Sequence, residues 1–80
     1  MKKILVVDNN PVMLEFMNEI LTQEGYQVKT VDNGVDALVV GRQFRPEIVF
    51  VDLIMPYIDW KQLCRLFRRH NEFAETRIVI

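Results

Sequence analysis

Residues 48–60 read IVFVDLIMPYIDW. Ile48–Val51 is an unbroken apolar run, mostly β-branched, that stops on the carboxylate of Asp52. Such a run reads as a strand buried on both faces, which is the signature of a parallel sheet covered by helices. Met55-Pro56 then marks a loop, and Asp59 is placed to cap a following helix. The same design stands near the start of the chain, where Ile4–Val7 is wholly apolar and is followed by Asp8-Asn9. Two strands of this kind, each ending on an acid, set the frame for everything between them.

Working outward, Asn10-Pro11 supplies an N-cap and a first-turn proline. Met13, Leu14, Met17, Ile20 and Leu21 recur at helical spacing and are expected to face inward, with Glu15, Asn18, Glu19 and Thr22 opposite. Gly25 closes that helix as its C′ residue. Tyr26–Val31 reads as a second strand, stopped by Asp32-Asn33-Gly34. A second helix is expected from Val35 to about Phe44 with Asn33 as cap, packing through Ala37, Leu38 and Gly41 although Val39, Val40 and Gly41 are poor helix formers. Pro46 ends that connection. The helix capped by Asp59 turns Leu63, Leu66 and Phe67 inward and Arg65, Arg68 and Arg69 outward, and Arg77–Ile80 begins a fourth strand. The order β-α-β-α-β-α-β implies a doubly wound α/β sheet with right-handed crossovers, whose ligands bind beyond the carboxyl ends of the strands.

Eighty residues make one domain, and a chain this short buries only about 60% of the surface its unfolded form exposes. Ten basic and eleven acidic residues leave a net charge of −1, with no nucleic-acid or membrane footprint. The single Cys64 cannot form an internal disulfide, which fits a reducing cytoplasm. The start MKKILVV imitates a signal peptide, but its apolar run breaks at Asp8.

If the first and third strands are parallel neighbours, Asp8, Asn9 and Asp52 converge on one edge of the sheet. Clustered oxygen donors at a solvent-facing mouth suit a hard cation such as Mg²⁺. A carboxylate beside such an ion can also act as a nucleophile toward phosphorus. Against this stands the plain reading of Asp8 and Asp52 as turn formers. Two acids after two adjacent strands weigh for the functional one. His70, after Arg68-Arg69 at a helix end, reads as a cation at a C-terminal dipole and not as a phosphohistidine. Cys64, Met13, Met17 and Met55 read as packing residues.

The pieces ILVVDNNP, GYQV, DNGVDAL and PEIVFVDLIMPYIDW, with their D-x-x-M-P-x-x-D spacing, resemble the receiver domain of bacterial two-component response regulators from Lys3 to Ile80. The resemblance implies a flavodoxin-like sheet of order 2-1-3-4 carrying three helices. It implies Asp52 as the phosphoacceptor for a sensor histidine kinase, and a Mg²⁺ site of Asp8, Asn9, Asp52 and the backbone carbonyl of Ile54. An effector domain or protein would be the downstream partner. The reading is a signalling module and not an enzyme.

Three departures stand out. Asn9 occupies the place of a second aspartate that touches Mg²⁺. Trp60 replaces the glycine that usually follows the acid of the motif, and should be bulkier and stiffer. The switch hydroxyl, the lysine, the fifth strand and the last two helices of the family lie past Ile80, so residues 1–80 read as a single receiver domain incomplete at its C-terminus. From this the fourth strand is expected to be an open edge through which copies associate. Two other functions compete: a degenerate receiver that binds partners without phosphorylation, and an aspartate-nucleophile phosphatase of the haloacid dehalogenase type. The second would use Asp8 as nucleophile and wants an acid where Asn10 stands.

Overall fold

The computed structural model describes residues 2–51, 65 and 77–79. Its elements run β1 (Lys3–Val7), α1 (Pro11–Gln23), β2 (Gln27–Val31), α2 (Gly34–Phe44), β3 (Ile48–Val51) and β4 (Arg77–Val79). The strands form one sheet in the order β2-β1-β3-β4, all parallel. That is the order expected for the doubly wound sheet. The expected helix beginning at Asp59, the Met55-Pro56 loop, Trp60, Cys64 and His70 lie outside the described residues. Arg65, expected to point outward, is helical and exposed.

Each helix end shows why the chain turns there. At the start of α1, Asn10 Oδ1 accepts hydrogen bonds from the backbone N–H groups of Val12 (3.0 Å) and Met13 (3.4 Å), and Pro11 takes the first helical position. At its other end Gly25 has φ +92, its N–H donates to Thr22 O and the Tyr26 N–H donates to Leu21 O. This paired pattern is a Schellman motif, and the left-handed backbone is what glycine supplies. Tyr26 is thereby spent on the helix end, so β2 begins one residue later than the apolar pattern suggests. In α2, Asn33 Oδ1 accepts from the Asp36 N–H at 2.8 Å while its Nδ2 donates to Asp36 Oδ2 and Asp32 Oδ1. This cap makes Gly34 the first helical residue. The helix ends on Arg45 in the left-handed region at φ 53, with its N–H donating to Gly41 O.

The core cluster joins Leu5, Val7, Val31, Ala37, Val49 and Val51, with Leu38 and Val40 packed against it. Gly34, Ala37, Gly41 and Phe44 bring a buried face of α2 to the sheet, at the three- and four-residue spacing of one helical face. Helix α1 differs from its expectation. Leu14, Met17 and Leu21 are half-buried, but Met13 and Ile20, expected to face inward, are exposed. The reason is position: α1 lies over β1 and β2, so its flank toward β3 meets no packed neighbour among the described residues. Phe44 is sealed by Lys3 and Lys29, whose Nζ atoms lie 5.5 and 6.0 Å from its ring centroid. Their stems cover the ring while their charges stay in water.

Candidate functional site

Parallel pairing sets Val7 opposite both Val31 and Val51. The carboxyl ends of β2, β1 and β3 are therefore level, and an aspartate follows each of them in sequence: Asp32, Asp8 and Asp52. Of the residues singled out from the sequence, Asp8 and Asn9 are described, whereas Asp52 and Ile54 lie outside the described residues. Val51, the last described residue before Asp52, is buried at the mouth.

Asp8 is 8% exposed and is the buried polar residue of the described core. Two bonds fix it. Its backbone N–H donates to Val31 O at 3.1 Å, which ties the corner to the end of β2. Its Oδ1 accepts from the Asn10 N–H at 2.9 Å, an Asx turn that orients the carboxyl group. Asn10 in turn caps α1, so one run of hydrogen bonds leads from the acid into the first turn of the helix. Asn9, between them, is exposed at the mouth. Asp32, which sequence reasoning treated as turn chemistry, stands level with Asp8 and is exposed, and its Oδ1 is held by Asn33 Nδ2 at 2.7 Å. It belongs to the capping of α2.

The mouth opens into a groove of about 360 Å³ that reaches from Asp8 and Asn10 down to Met13, Met17, Phe50 and Val79. Among the described residues no group of three His, Cys, Asp or Glu gathers in a metal-binding arrangement. Asp8 and Asn9 still offer a carboxylate and an amide oxygen side by side at the mouth, a hard oxygen donor set of the kind Mg²⁺ takes. Asn10 is committed to the α1 cap, at the place where an aspartate-nucleophile phosphatase wants its second acid.

The family model of the response regulator receiver domain matches residues 4–80. The chain belongs to that family. As a receiver it carries the CheY-like fold, a phosphoacceptor module of two-component signalling. It is 30% identical to the protein PilH of Pseudomonas aeruginosa over 80 residues, covering all of this chain and 66% of PilH. A structure of the histidine kinase ThkA in complex with the response regulator TrrA contains a chain that matches 98% of this receiver and 66% of its own length, with TM-score 0.84 and 33% identity. The receiver domain of a sensor histidine kinase of Pseudomonas aeruginosa PAO1, with a magnesium ion coordinated in its active site cleft, matches 96% of this chain and 63% of its own, with TM-score 0.86 and 26% identity. The receiver thus spans about two thirds of the length of these relatives. Among its described residues no helix is long and apolar enough to cross a membrane.

Proposed function

We propose that this receiver accepts a phosphoryl group on Asp52 from the phosphohistidine of a sensor histidine kinase, in a Mg²⁺-dependent step. The observation that carries the reading is the level ending of β1 and β3, Val7 opposite Val51, with an acid next in the chain after each. A carboxylate oxygen of Asp52 forms the bond to phosphorus as the bond from phosphorus to the kinase imidazole breaks. The electron pair remains on the imidazole nitrogen, which is left protonated. Asp8, Asn9, Asp52 and the backbone carbonyl of Ile54 would hold the ion. When bound, Mg²⁺ neutralises charge on the phosphoryl oxygens. Asp8 keeps its carboxyl group in place through the Asn10 N–H.

The kinase partner is supported by the ThkA–TrrA complex and the metal by the magnesium-bound receiver, both similar to this chain. Residues 1–80 act as one receiver unit in the cytoplasm and pass the signal to an effector domain or protein. The test is incubation with acetyl phosphate and Mg²⁺ followed by intact mass. One labile phosphoryl group is gained by the wild type and none by Asp52→Ala. Label retained in Asp52→Ala and lost in Asp8→Ala would instead point to the phosphatase chemistry.

Asn9 favours the competing reading of a receiver that binds partners without phosphorylation, because a neutral amide stands beside Asp8. A carboxylate in its place adds a charge within reach of the ion. Asn9→Asp should therefore tighten Mg²⁺ binding by about tenfold or more, measured by calorimetric titration. Equal affinities in the two proteins would remove Asn9 from the site.

A further inference from the structure

The two faces of the sheet are sealed unevenly. On the face toward α2, Leu5 and Val7 of β1 and Val49 and Val51 of β3 are all buried. On the opposite face Ile4 and Val6 of β1 are buried, whereas Ile48 and Phe50 of β3 are only half-buried. The groove described above runs along this open side, with Phe50 and Val79 across from Met13 and Met17.

The wall that α1 gives the groove continues outward as a ridge. Successive residues turn by about 100° around a helix. Starting from the half-buried Leu14, Met17 and Leu21, the surface passes Met13 and Ile20, then Phe16 and Val12, then Glu19 and Glu15. Val12 is 73% exposed and Phe16 55%. Beyond the other side of the groove stands the exposed Arg77 of β4. One face of the molecule therefore carries, in order, an acidic edge, an apolar ridge, an apolar groove and a basic edge.

We propose that this face is the docking site for a second copy of the same chain, the α1 ridge of each copy seated in the groove of the other. The order of features is what selects the partner. A two-fold axis reverses the order, so each ridge meets a groove and each pair of glutamates meets Arg77 of the partner copy. A net charge of −1 per chain opposes the pairing only weakly. Among the described residues no strand pairs with the outer edge of β4, which places the open edge expected from the sequence at the rim of the same contact.

Sedimentation velocity and light scattering of the 80-residue chain, over about 10–100 μM, test this. The expected result is a concentration-dependent dimer. Phe16→Glu on the ridge and Val79→Glu beside the groove should each weaken it by at least about tenfold, with circular dichroism unchanged because both side chains are exposed. Arg77→Glu should weaken it too, and Glu19→Arg in the same chain should restore it. A compact monomer throughout the range overturns the proposal, as does a dimer that Phe16→Glu and Val79→Glu leave intact. Neither result bears on whether Asp52 is phosphorylated, since the labelling assay is read separately.

Discussion

Helices α1 and α2 pack on the same sheet and hide very different amounts of themselves. Helix α1 has the fuller apolar pattern, with Met13, Leu14, Phe16, Met17, Ile20 and Leu21, yet none of its residues is buried. Helix α2 is built of poorer helix formers, with two glycines, two valines and one alanine among its eleven residues, and buries four. Burial is decided by what lies across from a side chain and not by its own hydrophobicity. Gly34, Ala37 and Gly41 let α2 come close to β1 and β2, and that approach is what encloses Phe44. The larger side chains of α1 hold more apolar surface than the strands beneath can cover.

The sharpest way to break this comparison is to make one change in both helices. Phe44→Ala should cost about 3–4 kcal/mol, because the ring is 7% exposed and leaves a cavity under Lys3 and Lys29. Phe16→Ala should change monomer stability by less than about 0.5 kcal/mol. Equal losses in urea unfolding at low protein concentration would show that α1 is packed as tightly as α2. Caps come next in size. Asn33→Ala removes the bond to the Asp36 N–H and should cost about 1 kcal/mol, measured in the same unfolding assay. Gly25→Ala should cost a similar amount, about 1 kcal/mol. No atom lies within 4 Å of the Cβ it would add, so the penalty is conformational alone. The smallest effect has the opposite sign: Arg45→Gly relieves a left-handed backbone at φ 53 and should stabilise by about 0.5 kcal/mol.

These ends also show what the sequence disclosed. Asn10-Pro11, Gly25 and Asn33 could be read directly, because each residue type has one backbone role that it fills well. Arg45 could not, since nothing about arginine marks a left-handed position. The strands β1 and β3 were apparent from unbroken apolar runs, and the sheet order followed from the resemblance to receivers. The inward face of α1 was misjudged at Met13 and Ile20, because periodicity reports which residues share a side and not whether a neighbour covers it. At the site, the pairing of Asp8 with its neighbours on the mouth was legible as soon as two strands ended on acids. The commitment of Asn10 to the helix cap was legible too. Asp32 was not placed at the mouth beforehand, since its sequence context reads only as a turn. Whether it stands level with Asp8 depends on the ladder between β1 and β2.

That ladder also acts as a ruler. Each rung is about 3.3 Å, and a slip of one rung turns every side chain of the strand to the other face. With Val31, Val7 and Val51 on one rung, the chain positions after them start at a common height. A substitution deep in β1 or β3 that let the strands slide would offset those positions and aim them apart. The chemistry at the mouth could then be lost through a change several residues away, with every residue of the site still in place.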